Sequence, residues 1–278
     1  MANSILDPKD QEKIAASLAH IRNRLLVFSG KGGVGKTTAA VNIAAGLALE
    51  GRKVGVLDVD IHGPNVAKMF GLDNAALEMD QSGRMKPVVA PGNIEVVSMA
   101  LLMQTQDAPV VWRGPMKMRA IMQFVSDVAW GDLDWLVIDS PPGTGDEPLT
   151  IAQIIPATAA VIVTTPQAVA LLDTRKAVNF AQLMHLRILG VIENMSVLTC
   201  PHCGKEIKLF PTGGGMAMAR EMMVPFLGQI PLDPDIVAGG DEGKPFVAEH
   251  PNSESAKAMM QIVARILDAE AALEVTKE

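Results

Sequence analysis

The chain has 278 residues, 49% hydrophobic and 20% charged, with Lys+Arg 24 against Asp+Glu 31. That is apolar enough for a sizeable core, and the net charge of −7 excludes a broad binder of nucleic-acid phosphates. Aromatic residues are only 4%, with no Tyr, so base-stacking platforms are scarce as well and no nucleic-acid partner is expected.

The N-terminus, MANSILDPKDQEKIAAS, lacks the basic start and apolar run of an export signal. The most apolar stretch, Ile151–Thr165, is broken by Pro156 and too short to span a bilayer, so neither membrane nor export is expected and the location reads as cytoplasmic. Two cysteines exclude a disulfide scaffold, and their Cys-x-x-Cys spacing points to metal or redox chemistry. The 17 methionines read as core filler.

Residues 1–24 read as an N-terminal helical extension and residues 25–278 as one α/β domain. Leu25–Ser29 predicts a strand, Thr37–Glu50 a helix with Val41, Ala44, Ala45 and Ala48 on one face, and Lys53–Asp58 a second strand. Residues 73–92 are aperiodic, an excursion ending in a hairpin-like turn at Pro91-Gly92; Ile94–Met99 then predicts a strand and Met116–Ala129 a helix. Trp135–Asp139 (strand), Leu149–Ile155 (helix), Ala159–Thr164 (strand), Val169–Met184 (helix) and Ile188–Glu193 (strand) follow. Met216–Met223 (helix), Phe226–Ile230 (strand) and Ser253–Ala272 (helix) close the chain. Strands without strict alternation are buried on both faces, so the interleaving predicts a doubly wound, mainly parallel sheet with helices on both sides.

Directly after the first strand stands GKGGVGKTT, Gly30-Lys31-Gly32-Gly33-Val34-Gly35-Lys36-Thr37-Thr38. It satisfies G-x-x-x-x-G-K-[ST] in the strand–loop–helix setting that makes a phosphate loop. The glycines let backbone N–H groups cradle phosphates, the helix adds its positive end, Lys36 reaches the β/γ-oxygens and the Thr37 hydroxyl ligates Mg²⁺. Lys31 has two readings: a solvent-facing lysine, or a cation that stabilises charge on a facing subunit's nucleotide. Asp139 ends an apolar strand and is positioned to hold Mg²⁺, directly or through water; Gly143, in the SPPGTG turn that follows, is placed to donate its N–H to a γ-phosphate.

The phosphate loop resembles the "deviant Walker A" of the MinD-like P-loop ATPases, whose members dimerise face to face around ATP. DVDIHGPN (58–65), WRGPM (112–116), IDSPPGTGD (138–146), TTPQAVALLD (164–173), GVIENMS (190–196), CPHCG (200–204) and IPLDPDI (230–236) narrow the resemblance to the Mrp/ApbC branch, implicated in iron–sulfur cluster carriage. It implies an ATPase in which Asp60 orients the attacking water, Asp58 lies near the metal and Asn194 reads adenine. The small N-terminal domain of longer Mrp relatives is not expected, nor the four-cysteine cluster of eukaryotic scaffold relatives. The acidic ending DAEAALEVTKE argues against the membrane-targeted role of other MinD-like proteins.

Cys200-Pro201-His202-Cys203-Gly204 has three readings. A dithiol redox site wants a helix starting at the first cysteine, and GKEIKLF reads instead as a turn and an extended segment. A c-type haem site wants His where Gly204 stands. A metal knuckle fits: two thiolates on one metal, with Gly204 relieving the turn. Four-ligand sites need a second pair, and the dimer implied by the resemblance supplies one. The expectation is therefore a homodimer that binds ATP, Mg²⁺ and a bridging [4Fe-4S] cluster, with apo iron–sulfur proteins and a cluster-assembly scaffold as partners. A zinc-stapled ATP switch acting on a protein partner is the alternative; a metabolic kinase lacks a recognisable second-substrate pocket.

Overall fold

The structure is a computed structural model and describes residues 6–102, 114–200 and 202–275. Trp112 and Arg113 of the WRGPM motif, and Pro201 between the cysteines, lie outside them. Helix α1 (Pro8–Ser17) begins at the N-cap Asp7, whose side chain accepts from the Asp10 N–H, and leads into β1 (Ile21–Phe28). There follow α2 (Lys36–Leu49), β2 (Val54–Asp58), α3 (Val66–Met69), the short pair β3 (Glu78–Met79) and β4 (Met85–Lys86), β5 (Val88–Ala90) and β6 (Ile94–Ser98). The middle of the chain gives α4 (Gly114–Ser126), β7 (Leu133–Asp139), α5 (Asp146–Ile154), β8 (Ala159–Thr164), α6 (Ala168–Leu183) and β9 (Ile188–Glu193). The rest is a small hairpin of β10 (Leu198–Thr199) and β11 (Glu206–Ile207), then α7 (Gly214–Glu221), β12 (Phe226–Gln229), α8 (Pro234–Glu242), α9 (Phe246–Glu249) and α10 (Glu254–Val275).

Eight strands form one sheet in the order β12-β9-β8-β1-β7-β2-β6-β5, parallel except for the antiparallel edge strand β5. The turn between β5 and β6 is Pro91-Gly92-Asn93, where the hairpin-like end was expected. Strand β1 begins at Ile21 and not at Leu25, pairing from there with Leu133 of β7, so residues 21–24 belong to the sheet and not to a helical extension.

The central strands divide their side chains between two apolar layers, as a strand's alternation requires. Leu25 and Val27 of β1 pack with α2 and α10, whereas Leu26 and Phe28 face the layer containing α1, α4 and α6. All four are essentially inaccessible, each contributing roughly 1.5–3 kcal/mol on burial. Among the described residues no helix is long and apolar enough to cross a membrane. The carboxyl ends of β1, β7 and β2 lie side by side, with Asp58 in register with both Asp139 and Ser98. Because the chain leaves β1, crosses by α2 and returns at β2 with β7 between them, a crevice opens above these three ends.

Candidate functional site

The loop after β1 cannot continue the strand: Gly33 and Gly35 adopt left-handed conformations with φ of 77° and 82°. Gly35 is the N-cap of α2 and supplies no side-chain cap, so the first N–H groups of the helix remain directed into the loop, an anion site by construction. Gly35 is also hemmed in by a neighbour: a Cβ there would lie 2.1 Å from Asn194 Nδ2. Gly35→Ala is expected to add about 1–2 kcal/mol of left-handed strain and to displace Asn194. Nucleotide affinity should fall at least about tenfold, each tenfold step being ~1.4 kcal/mol; titration calorimetry checks this, with the melting midpoint as control.

Lys36 heads α2 and is almost fully buried. Its Nζ donates to Asp139 Oδ1 at 2.6 Å, lies 3.7 Å from Asp60 Oδ2, and is 3.4 Å from Thr37 Oγ1. The Thr37 hydroxyl donates to the other oxygen of Asp139 at 2.7 Å. Burial pushes the Asp139 carboxyl above its ordinary range, even though Lys36 and Thr37 pull it down. The Asp58 carboxyl is pushed up to about 8, first by burial and then by the neighbouring Asp139. Three buried carboxyl groups, Asp58, Asp60 and Asp139, thus surround one buried ammonium among the described residues.

Asp58, which the resemblance puts near the metal, has both carboxylate oxygens engaged within the protein. Its Oδ1 accepts from the Asp60 N–H at 3.1 Å, and its Oδ2 from the Val66 N–H at 3.2 Å and the Ser98 hydroxyl at 2.9 Å. It organises the turn carrying Asp60, whose Oδ1 in turn accepts from the Gly63 N–H at 3.3 Å. Ser98, fully buried, is a site residue that sequence reasoning misses: a serine ending an apolar strand carries no signal of the strand it faces. His62 and Glu147 join the Asp60 loop to the start of α5, with His62 Nε2 3.0 Å from Glu147 Oε1.

The Gly143 N–H is not free for a phosphate in this conformation, because it donates to the Ser29 carbonyl at 2.8 Å. Gly143 has φ 97° and nothing crowds the place of its absent Cβ, so the peptide is free to turn once that hydrogen bond is broken. Lys31 is half-exposed, and no carboxylate among the described residues pairs with it. Asn194, after the end of β9, is buried, and its Nδ2 donates to the Val34 carbonyl at 2.9 Å. Beside it lies a cavity of about 380 Å³ lined by Thr37, Thr38, Asn65, Asn194, Pro231 and Ile236 among others. The IPLDPDI segment therefore forms one wall of this cavity.

Cys200 and Cys203 are at the tip of the β10–β11 hairpin, well apart in sequence from the loop and both free thiols. The Gly204 N–H donates to the Cys200 carbonyl and the Cys200 N–H to the Lys205 carbonyl, both at 2.9 Å, closing a tight turn in which Gly204 has φ 70°. Backbone N–H groups of His202 and Cys203 point at the Cys200 sulfur and hold its thiol below the ordinary value. Among the described residues no helix starts at Cys200, whereas the dithiol redox reading wants one there. Among the described residues no third His, Cys, Asp or Glu joins a metal-binding group.

Fold and site together define a P-loop nucleotide-binding protein of the MinD/ParA type. The chain belongs to the NUBPL iron-transfer P-loop NTPase family (ParA), which it matches over residues 20–267. It is 48% identical to an iron–sulfur cluster carrier protein of Saccharolobus solfataricus, spanning 92% of this chain and 86% of that one. The protein of the same name from Methanocaldococcus jannaschii is 46% identical over 92% of this chain and 88% of its own length. A nucleotide-binding protein of Archaeoglobus fulgidus, solved in complex with ADP, superposes with a TM-score of 0.76 at 37% identity, covering 84% of this chain and 92% of that one. The cell-division ATPase MinD of Pyrococcus furiosus gives a TM-score of 0.64 at 26% identity, with 89% and 99% covered.

Proposed function

We propose that this chain is an ATP-hydrolysing iron–sulfur cluster carrier that holds a [4Fe-4S] cluster between two copies, through Cys200 and Cys203 of each, and passes it to apo-proteins. The observation that carries this reading is the solvent-facing knuckle: two thiols on one tight turn and no third ligand beside them among the described residues. A four-thiolate site then needs a second chain, and a two-fold axis through the hairpin tips supplies it. The names of the relatives from S. solfataricus and M. jannaschii support the same assignment.

At the nucleotide, the N–H groups of residues 30–38 wrap the phosphates and Lys36 bridges β- and γ-oxygens. Thr37 and Asp139 are the donors that would hold Mg²⁺, whose charge offsets that of the phosphates. Asp60, buried and fixed by Gly63 and by Asp58, orients the attacking water. Asp58 acts by shaping that turn. Asn194 Oδ1 accepts from the base, and Lys31 stabilises charge on the partner's nucleotide. Gly143 exchanges its Ser29 hydrogen bond for one to the γ-phosphate, and so registers the difference between ATP and ADP.

The test is iron, acid-labile sulfide and zinc per chain after anaerobic reconstitution, read beside the visible spectrum. One cluster per two chains gives about two irons and two sulfides per chain. Zinc at about half an atom per chain, resisting replacement by iron, would instead make the knuckle a structural staple and end the carrier reading.

A further inference from the structure

Glu193 is fully buried, yet no lysine or arginine among the described residues pairs with it. A carboxylate taken out of water without a cation is costly, and a hydroxyl would suffice to cap a helix. Its oxygens are nevertheless fully engaged: Oε2 accepts from the Gly215 N–H in the first turn of α7, and Oε1 accepts from Gln229 Nε2 at 2.7 Å. The first-turn N–H groups of α7 favour a negative charge there.

The position matters because of what lies on either side. The next residue is Asn194, which grips the phosphate loop at the Val34 carbonyl. Met195 follows with φ 56°, a left-handed conformation that a residue with a Cβ adopts only when its surroundings enforce it. Ser196 is then pinned to the Ile230 carbonyl by both its N–H (3.0 Å) and its hydroxyl (3.1 Å), and the chain departs into the cysteine hairpin. The hairpin excursion returns at α7, the helix whose first turn Glu193 holds. The excursion thus leaves two residues after Asn194, which touches the phosphate loop, and returns at the helix that Glu193 holds.

We propose that Glu193 is a positioning residue that makes the cysteine hairpin respond to the nucleotide: a shift of the phosphate loop moves Asn194, and Glu193 transmits it to α7 and the hairpin base together. The inference rests on the carrier reading, in which nucleotide and cysteine sites communicate. It assigns the communication to a rigid short tether across the end of β9, with the strained Met195 as its joint.

The chain's only two cysteines are those of the hairpin, so thiol labelling reports on it alone. The experiment measures alkylation of the metal-free, reduced, full-length protein by a bimane reagent, with and without a non-hydrolysable ATP analogue and Mg²⁺. In the native sequence the nucleotide is expected to change the labelling rate at least threefold. Glu193→Gln keeps an acceptor for Gly215, and Gln229 turns its amide to suit, so the change persists. Glu193→Leu removes the tether, so the ratio of rates falls to near one while nucleotide affinity stays within about threefold. Gly215→Ala breaks the same contact from the other side, its Cβ falling 2.8 Å from Glu193 Oε2, and serves if the leucine variant does not fold. A folded, nucleotide-binding leucine or alanine variant with the native ratio overturns the tether, as does a Gln variant that behaves like Leu. A native protein whose labelling ignores nucleotide overturns the communication on which the carrier reading and this inference both depend; iron content near two per chain would then still stand for the cluster itself.

Discussion

Lys36→Ala is expected to reduce ATP hydrolysis by at least about 10²–10³-fold, the usual cost of deleting one preorganised charge donor from a buried site. Lys36 is the one buried ammonium among the described residues that touches Asp139, and it approaches Asp60 as well, so no neighbour can take over its position. The effect on folding is of a different kind. A buried carboxylate stripped of its partner costs about 3–5 kcal/mol if it stays ionised. Asp139, however, is already pushed up by burial, and without Lys36 it takes up a proton instead. The single variant should therefore fold with a lowered melting midpoint. The double variant Lys36→Ala/Asp139→Asn should recover much of that midpoint, because the amide needs no counter-charge and still accepts from Thr37. Hydrolysis should not recover. Phosphate release and thermal melting on the four members of this cycle separate the two contributions, and undiminished hydrolysis in the single variant would remove Lys36 from the phosphate site.

The contrast between legible and illegible parts of this molecule follows from range. The sheet reads directly because its inner strands, such as Ala159–Thr164, are apolar on both faces, a pattern that only a double helix cover explains. The phosphate loop reads directly because its chemistry is local: glycines, a lysine and a threonine consecutive in the chain. Helix α8 is not among the predicted elements, being too short for an apolar period, although its start carries a capping signal, Asp233 accepting from the Asp235 N–H with Pro234 at the first helical position. Strand β1 extends back to Ile21 despite Arg22, Asn23 and Arg24, because these polar residues lie at the N-terminal end of this central strand, within reach of backbone carbonyls; Arg24 Nε donates to the Pro156 carbonyl at 2.7 Å.

What fails to show in sequence is long-range pairing. Ser98 and Glu193 each look like a lone polar residue ending an apolar run, and only the neighbouring strand or helix reveals what each holds. The two-residue strands β10 and β11 are set by the tight Cys200–Lys205 turn between them and have no periodicity to detect. The Gly143 N–H has two acceptors available to it in principle, and the choice of the Ser29 carbonyl depends on how the loops meet.

Replacing both cysteines by alanine is expected to abolish cluster binding while leaving nucleotide affinity and stability nearly unchanged. Cys203 is exposed and Cys200 half-buried at a hairpin tip, and surface substitutions of this kind usually stay within about 0.5 kcal/mol. The Cys200 thiol is favoured as thiolate by two backbone N–H groups. A single Cys200→Ala change alone should therefore be enough, since two such chains offer two thiolates where a cluster wants four. Mixing gives the sharper outcome. If native and doubly substituted chains exchange freely and are reconstituted in equal amounts, a cluster held within one chain leaves about half the iron. A cluster bridging two chains leaves about a quarter, because only that share of random pairs is native on both sides. Iron per total chain across a series of mixing ratios thus follows a straight line or a square law, and the square law is expected. A straight line would place the whole cluster on one chain, which two thiols and no neighbouring third ligand among the described residues do not furnish.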